Sequence, residues 1–512
     1  MWIYKVKNTG WIIVWALFVI STSAQGQKMV HINMKSGTLM HSNAIGPNIF
    51  RAVNSPVFEH DGALLTCDSA WMNDASNSVD CFGNVAVRLS DTLTLYGDVI
   101  HYDGNTRIAN VNKNVRLVDK STTLTTDVLT YDRNTGIAYY NTGGTIVNGE
   151  NTLKSKRGYY YADMKTMFFK ENVILTNPDY KITCDTLKYN TQTEISYFLS
   201  PTHIKGKKNY MYCEDGEYNS ISKKSRFSKN AYLLDNNRKF SGDTLYYDEY
   251  KRVGTAVSHV EMIDTAQNLK VRGNYAEYWQ GKGYALVTKR AVAMLSEKNN
   301  KESDTLYLHA KLLKAVFDTV TNKGKELFAY TNAKFYRKDL QGASDSLYYS
   351  FKDSVINMYK QPVIWSDKSQ LTSDTINILT GGGSIKQMFI RSNAFMVSQD
   401  TTDSYNQIKG REMIGYFKDN KLSYIDVNGN AESIYFARED DKKLVGIKKS
   451  AGSKMRIYVK NNKIDRILYL DKTSGEMYPE KDLPADQRKL KGFLWRGDEC
   501  PKNKEDIFKG SE

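Results

Sequence analysis

The chain has 512 residues, and its 71 Lys and Arg against 57 Asp and Glu give a formal net charge of +14. A hydrophobic content of 41% is enough for a buried core, while a mean hydropathy of −0.53 excludes a polytopic membrane protein. The basic excess favours an anionic partner such as phosphate, a lipid headgroup or nucleic acid, although a diffuse excess of this size also covers many protein surfaces that need no such partner.

The N-terminus is typical of a targeting segment. Lys5 and Lys7 precede ten apolar residues at 11–20, and small residues follow up to Gly26. Ten apolar residues are too few to span a bilayer comfortably, whereas they match the apolar region of a signal peptide. The sequence therefore predicts that residues 1–26 are removed and that the mature chain is exported, with an uncleaved anchor as the alternative.

After a lead-in over about 28–58, one cassette recurs along the chain. Residues 182–190 and 211–219 carry it in the same phase, with the acids Asp185 and Glu214 29 residues apart. A period near this length with a fixed internal pattern is typical of a solenoid or repeat array. Taking the acid or its counterpart as an anchor, the cassettes lie at Asp68, Asp98, Asp127, Lys156, Asp185, Glu214, Asp243, Asn274, Asp304, Asp345 and Asp374.

The pattern inside a cassette predicts a folded strand. Apolar or small residues stand three and one before the anchor, then two and four after it, as with Ile182, Cys184, Leu187 and Tyr189. Each half alternates as a half-buried strand does, but the phase slips by one residue at the anchor. A single straight strand cannot bury both halves. A sharp crease at the anchor can, with the apolar side chains inside the fold.

A second element alternates with the cassettes and predicts an antiparallel meander. It is a turn residue followed by alternating apolar positions, as at 83–87, 172–175 and 393–396. Each repeat then supplies two creased strands, which places Cys184 and Cys213 two strands apart. If each repeat were one parallel rung, these two cysteines would be neighbours and could form a disulfide.

The regular interval is broken once and then changes. The step of 41 residues between Asp304 and Asp345 predicts a longer hairpin loop at 318–324, and the stretch beginning at Gly410 recurs 42 residues later at Gly452. Beyond Tyr478 charged residues and Pro predominate, which is typical of an extended tail. The sequence thus divides into a signal peptide (1–26), a β-solenoid (27–400), divergent solenoid repeats (401–477) and a polar C-terminal tail (478–512).

Catalysis, metals and cofactors have little support in the sequence. The seven His are scattered, and no metalloprotease or hydrolase motif is present. The anchor acids could form a ladder of cation ligands, but Lys156 and Asn274 occupy two of the slots. Capping of the crease by the anchor side chain is the favoured interpretation. We therefore expect a protein that is not an enzyme and that needs no cofactor.

The large apolar residues after the anchors have two interpretations. They either fill the crease as an ordinary core or line an apolar groove that is open along the solenoid. A groove in an exported, basic protein would suit amphiphiles with acyl chains and anionic heads. The candidate groove residues are Leu129, Tyr131, Leu187, Tyr189, Tyr218, Leu245, Tyr247, Tyr278, Leu347 and Tyr349.

Cassettes such as 241–248, alternating with Asn-Val strands, resemble the LptA/OstA family of lipopolysaccharide-transport proteins, and the ending at 455–458 and 490–499 is similar to long OstA-like proteins of the Bacteroidetes type. The resemblance implies an all-β fold, an elongated antiparallel β-solenoid or creased β-jellyroll (β-taco). It also implies a periplasmic location, a groove that shields the acyl chains of lipid A, and edge-strand pairing with related modules at the inner and outer membranes, with no nucleic acid as a partner.

The chain departs from the short LptA pattern in having far more repeats, and it lacks the barrel segments of the outer-membrane translocon. Two other functions stay open on the sequence. One is an exported structural scaffold or adhesin with a filled core. The other is a β-helix polysaccharide enzyme, for which one repeat should carry an acid or His cluster that the other repeats lack.

Overall fold

A computed structural model describes residues 31–41, 45–207, 209–235, 237–296, 305–321, 323–381, 384–418, 421–439, 443–460 and 463–510. The expected targeting segment at 1–26 lies outside these residues. The chain divides into two compact units. Unit 1 comprises residues 1–120 and 128–135, and unit 2 comprises residues 121–127 and 136–512.

The first eight strands include all those of unit 1. They are β1 (Asn33–His41), β2 (Ile49–His60), β3 (Ala63–Thr66), β4 (Ser69–Asn73), β5 (Ser78–Arg88), β6 (Leu93–Asp103), β7 (Ile108–Asp119) and β8 (Thr122–Asp132).

The next sixteen strands belong to unit 2. They are β9 (Ile137–Tyr140), β10 (Gly144–Asn148), β11 (Asn151–Ser155), β12 (Arg157–Tyr161), β13 (Thr166–Thr176), β14 (Tyr180–Asn190), β15 (Ile195–Phe198), β16 (Thr202–Gly206), β17 (Asn209–Cys213), β18 (Asp215–Asn219), β19 (Lys224–Ser228), β20 (Tyr232–Asp235), β21 (Arg238–Ser241), β22 (Thr244–Asp248), β23 (Val253–Asp264) and β24 (Leu269–Trp279).

Unit 2 continues with a further sixteen strands. They are β25 (Tyr284–Thr288), β26 (Val292–Leu295), β27 (Leu306–His309), β28 (Leu312–Phe317), β29 (Gly324–Arg337), β30 (Leu340–Ser350), β31 (Val355–Tyr359), β32 (Val363–Ser366), β33 (Ser369–Thr372), β34 (Thr375–Gly381), β35 (Ser384–Gln399), β36 (Tyr405–Lys418), β37 (Lys421–Arg438), β38 (Leu444–Lys460), β39 (Lys463–Leu470) and β40 (Ser474–Tyr478).

The described residues contain no α-helix. Short 3₁₀ turns lie at Gln280–Lys282, Glu480–Asp482, Ala485–Arg488, Gly497–Glu499 and Asp506–Phe508. In the same part of the chain, no helix has the length and apolar character needed to cross a membrane. The expected all-β fold is confirmed.

The crease at each anchor is a β-bulge. Where β13 pairs with β14, Lys170 is opposite Thr186 and Val173 is opposite Cys184, so that two residues, Glu171 and Asn172, face the single Asp185. Both bulge residues have left-handed backbone angles, with φ of 63° and 56°. An extra residue bends its strand sharply. The bend lies opposite Asp185, where the cassette pattern predicts a phase slip.

The same left-handed pair recurs along the chain. Its members are Asn54 and Ser55, Gly83 and Asn84, Lys113 and Asn114, Glu171 and Asn172, Lys229 and Asn230, Ser258 and His259, Lys289 and Arg290, Thr331 and Asn332, Lys360 and Gln361, Ser392 and Asn393, Gly429 and Asn430, and Asp471 and Lys472. Asn is frequent at the second position because its short polar side chain tolerates this backbone conformation.

The anchor carboxylates hold these bulges. The side-chain amide of Asn84 donates to the Asp68 carboxylate at 2.9 Å, and Asn230 donates to Glu214 at 2.8 Å. The Lys156 anchor has the opposite charge, and its ammonium lies 3.4 Å from the Glu171 carboxylate in the neighbouring bulge. The anchors therefore stabilise the crease locally, including the repeat in which acid and base are exchanged.

One predicted anchor is wrong. Asp304 lies outside the described residues, and the crease of its repeat lies at Lys311 instead. Lys311 faces the bulge residues Thr331 and Asn332, between the pairs His309–Lys334 and Leu312–Tyr330. The lysine was missed because the pattern was anchored on acids.

The ladders confirm the predicted antiparallel meander. Cys184 and Cys213 are each in register with Thr202, one on either side, so the two cysteines lie two strands apart. Both thiols are free and buried. Burial raises the pKa of Cys184 and of Cys213 to about 12, which keeps both thiols protonated at neutral pH.

Each crease divides its strands into two walls. The first wall comprises the half-strands before the anchors with their return partners, and the second wall comprises those after the anchors. Ile182 and Cys184 of the first wall belong to the same buried cluster as Leu187 and Phe198 of the second. The two walls therefore face each other across a shared core, and their far ends form an edge that we call the mouth.

The lead-in residues form the first strands of the sheet. Residues 33–41 and 49–60 form β1 and β2, and Val57 in β2 is in register with both Ser36 of β1 and Thr66 of β3. The sequence pattern places the first cassette at Asp68 and treats 28–58 as a lead-in. The pattern is weak before that point because the side chains of β1 are largely exposed.

The polar segment after Tyr478 packs back along the outer surface of the first wall. Buried glutamines of the wall bind its backbone. The Gln407 amide donates to the Arg488 carbonyl at 2.8 Å and its oxygen accepts from the Leu490 amide at 2.8 Å. Gln370 makes the same pair of bonds to Leu494 and Arg496, both at 2.7 Å.

Further along, the segment covers an outer apolar cluster of the wall. Cys500 packs against Ala343, Val363 and Trp365, and the Phe508 ring lies 4.7 Å from that of His309. The first wall therefore has buried residues on both faces between β27 and β37. The charge and proline content of the segment does not predict this path.

We predict that Gln370→Ala lowers the free energy of unfolding by about 1–3 kcal/mol, because it leaves the Leu494 carbonyl and the Arg496 amide without their buried partner. The measurement is urea denaturation. Gln192→Ala is the control, since Gln192 is exposed, and should change stability little. Equal stability of the two variants would show that the segment is not held by this residue.

Candidate functional site

The four predicted leucines all lie in the core. Leu129, Leu187, Leu245 and Leu347 are between 1% and 5% exposed. Three of them, in unit 2, belong to one continuous interior row of the second wall, in which each residue is in register with the next. From Leu187 the row runs through Phe198, Gly216, Phe227, Leu245, Ala256, Ala276, Val287, Leu313, Ala329 and Leu347.

The six predicted tyrosines lie nearer the mouth and are half-buried. They are Tyr131 in unit 1 and Tyr189, Tyr218, Tyr247, Tyr278 and Tyr349 in unit 2. On the return strands small residues separate several of these rings, because Ser196 is in register between Tyr189 and Tyr218, and Gly254 between Tyr247 and Tyr278. The rings therefore stand apart along the mouth instead of closing it.

Burial affects the ionisation of four of these tyrosines. Burial raises the pKa of the phenols of Tyr189, Tyr218, Tyr247 and Tyr278 above its usual value. The hydroxyl of Tyr247 donates to the side-chain oxygen of Gln280 at 3.3 Å. Each side chain thus presents an apolar ring to the interior and a hydrogen-bonding group at the mouth.

The facing row of the first wall contains residues that the sequence analysis did not select. Ile204, Met211, Phe240 and Met262 point to the interior and pack against the core, yet they remain half-buried. Together with Tyr189 and Tyr218 of the second wall they line an apolar region between β14 and β23, which we call the trough. Met211 and Phe240 occupy the apolar position three before an anchor, which the sequence pattern alone assigns to core. Ile204 and Met262 are their neighbours in register on the return strands.

The same first-wall row is closed further along unit 2. Its later members are all buried, at no more than 8% exposure, and they are Leu308, Phe335, Ile364, Leu371, Met396 and Ile408. Residue type does not explain the contrast, because Ile204 is half-buried whereas Ile364 is 1% exposed. The interior is thus partly accessible in one part of unit 2 and closed in the other.

Unit 1 has an interior cavity of its own, of about 40 Å³. Its lining includes Phe58, Leu65, Val79, Val87 and Tyr131. At the edge of the cavity the Arg133 guanidinium donates to the carbonyl of His60 at 2.7 Å. This volume is far below the roughly 300 Å³ or more of a small-molecule pocket, so the cavity is a gap in the packing and not a candidate site.

Two lysines lie near the mouth of the trough on the outer face of the first wall. Lys181 and Lys205 are in register on β14 and β16, and both are exposed. Like charges directly opposite one another on neighbouring strands are unfavourable. An anion bound beside them would remove this repulsion.

Other chemistry has little basis in this region. The described residues contain no group of three His, Cys, Asp or Glu side chains that could hold a metal ion. Several anchor carboxylates already accept hydrogen bonds from bulge side chains, as Asp98 does from Asn114 at 2.6 Å. The site is therefore built from apolar packing, aromatic rings and peripheral charge.

The contrast between the two parts of the first-wall row can be measured by replacing one Ile with Ala in each part. We predict that Ile364→Ala lowers the free energy of unfolding by about 2–5 kcal/mol, because it leaves a cavity in a closed core. Ile204→Ala, at an equivalent interior position of the trough, should cost about 1 kcal/mol, because the side chain is already partly hydrated. Urea denaturation of both variants tests this, and an equal cost would contradict an accessible trough.

Comparison with known proteins gives one family. The family described as OstA-like protein matches residues 28–185 and, a second time, residues 182–243. No curated protein matches the chain. Among solved structures, LptH from Pseudomonas aeruginosa, "the LptA homologous periplasmic component of the conserved lipopolysaccharide transport device", is similar at 13% identity over 22% of this chain and 93% of that chain, with a TM-score of 0.21. The two consecutive matches assign residues 28–243 to the OstA-like family.

Proposed function

We propose that the protein is a periplasmic carrier that binds lipopolysaccharide and shields its acyl chains in the trough during transfer to the outer membrane. The observation that carries the proposal is the row of half-buried apolar side chains on both walls between β14 and β23. A monomeric protein seldom leaves a continuous apolar surface partly exposed unless that surface binds something.

Acyl chains fit the chemistry of this surface. The trough residues Ile204, Met211, Phe240 and Met262 carry no charge and no hydrogen-bonding group, so they favour an apolar ligand. Each methylene removed from water contributes about 0.8 kcal/mol. Met side chains adapt their shape easily, which suits chains that slide through a site rather than dock in one pose.

An anionic head fits the surroundings of the trough. Lys181 and Lys205 stand together on the outer face beside the mouth, and the chain carries a net charge of +14. Phosphate groups of lipid A would neutralise such a pair. This combination favours an anionic amphiphile over a neutral lipid.

Related modules would dock at the ends of the sheet. Among the described residues, β1 pairs with β2 alone, and β39 and β40 pair with β38. Leu39 in β1 is 46% exposed, although its neighbour in register, Ala52, is fully buried. A free edge with an uncovered apolar side chain favours strand addition by another module.

A purely structural role is the second candidate, and the closed part of unit 2 favours it. The buried row from Leu308 to Ile408 shows the filled core expected of a scaffold. The two candidates differ in what they require of the trough, because a scaffold has no use for partly exposed apolar side chains on facing walls.

We predict that a photo-crosslinking amino acid at position 189 or 240, inside the trough, captures lipopolysaccharide in the purified full chain. The same amino acid at 188 or 239, on the outer faces of the same strands, should capture little. Mass spectrometry of the adducts measures this. Equal labelling at inner and outer positions would contradict the carrier.

We also predict that Leu39→Asp weakens association with other OstA-like modules, because the charge would lie at the end of the interior row. Met40→Asp, on the outer face of the same strand, is the control and should have a smaller effect. Co-purification of such modules with each variant measures it. Unchanged association of both variants would exclude this edge.

A further inference from the structure

The interior of unit 2 changes from accessible to closed at one place. On the first-wall row, Met262 of β23 is half-buried, whereas its neighbour in register, Val271 of β24, is 1% exposed. Ala293 and Leu308 follow in register at 0% and 2%. The change therefore falls within one pair of strands.

An aromatic side chain bridges the mouth at this place. Phe317, at the end of β28, stacks on Tyr278 of the second wall with ring centroids 5.3 Å apart and an interplanar angle of 20°. The guanidinium of Arg238, from the first wall, lies 4.8 Å from the centre of the Phe317 ring. Arg238 is itself held by Asp264 at 3.0 Å, so the ring connects the ends of both walls.

The hairpin that follows Phe317 adds a second bridge. The side-chain amide of Gln267, in the first-wall turn after β23, donates to the Gly324 carbonyl at the start of β29 at 3.2 Å. Phe317 and Gly324 flank the longer hairpin in the irregular interval of 34 residues between the creases at Lys311 and Asp345. The irregular interval thus coincides with the closure of the mouth.

The hairpin is internally fixed. The Asp318 carboxylate accepts from the backbone amides of Val320 and Thr321 at 3.0 Å and 2.7 Å and pairs with Lys325 at 2.9 Å. These bonds hold the pKa of the Asp318 carboxyl below its usual range. A turn capped in this way fixes the backbone that follows Phe317.

The C-terminal segment after Tyr478 covers and stabilises the outer surface of the closed part. The C-terminal segment is bonded to Gln370 and Gln407 on the first wall and reaches His309 at its end. If the walls separated here, the first wall would have to move with this segment or break buried hydrogen bonds. Elements with more buried hydrogen bonds open less readily.

We propose that Phe317, held by Arg238 and Tyr278, is a barrier that ends the acyl-chain path, so that the ligand occupies the interior before β24 and leaves through the mouth. The interior of unit 2 from β24 onwards is then closed and does not carry acyl chains. Phe317 acts as a positioning residue that sets how far chains can advance. The inference rests on the proposed function, since it assumes that the trough accepts acyl chains.

The first experiment scans one interior row with a photo-crosslinking amino acid, in the purified full chain incubated with lipopolysaccharide. Positions 211 and 240 should capture lipopolysaccharide, whereas positions 364 and 396 should capture at least tenfold less. Similar capture at all four positions would overturn the barrier. Capture at none of them would instead contradict the proposed function, so the two failures are distinguishable.

The second experiment removes the barrier. Phe317→Ala should raise capture at position 271, just beyond the closure, by severalfold, while capture at 240 stays unchanged. Phe328→Ala is the matched control, because Phe328 packs with Tyr348 on the outer face of the second wall, with ring centroids 4.9 Å apart. Unchanged capture at 271 in a folded Phe317→Ala protein would overturn the proposal.

Arg238→Gln provides a second variant in case the loss of the ring disturbs folding. It removes the cation above Phe317 but leaves the ring and its stacking on Tyr278. Circular dichroism confirms that each variant is folded. Arg238→Gln should raise capture at 271 less than Phe317→Ala does, and no rise in either folded variant would contradict the assignment.

Discussion

The two-residue bulge opposite each anchor is the constraint on which the rest of this structure depends. Where Glu171 and Asn172 face the single Asp185, the strand turns and its two halves bring their apolar faces together. Without the extra residue, the phase slip in the cassette would place one half's apolar residues on the outside. Each bulge has left-handed backbone angles that cost energy in non-glycine residues, and the anchor side chain offsets part of that cost.

Much of this follows from the sequence because the pattern is local. The alternation within a cassette and the slip at the anchor predict the crease, and the spacing of Cys184 and Cys213 about Thr202 agrees with two strands per repeat. Lys156 departs from the acidic pattern of the anchors, and the structure explains why: the acid of this repeat is Glu171 in the facing bulge, which pairs with the Lys156 ammonium. Local periodicity of this kind determines which face of a strand is buried.

The open and closed parts of the interior could not be predicted in the same way. Ile204 and Ile364 occupy equivalent apolar positions, and only their surroundings in space distinguish them. The closure depends on Phe317, whose partners Arg238 and Tyr278 are distant in sequence. The packing of the C-terminal segment depends on glutamines of the first wall that are more than eighty residues away from it. Long-range contacts of this kind leave no periodic signal in a sequence.

These features describe a repeat protein whose interior differs along its length. Between β14 and β23 the facing walls leave apolar side chains partly exposed, while later repeats bury both faces of the first wall and provide a rigid arm. The most direct test is to purify the mature protein from its native envelope and identify bound lipid by mass spectrometry. The account predicts lipopolysaccharide bound to the protein and lost when Met211 and Phe240 are both replaced by Asp in a folded variant. A lipid-free protein that binds no lipopolysaccharide when it is supplied would contradict it.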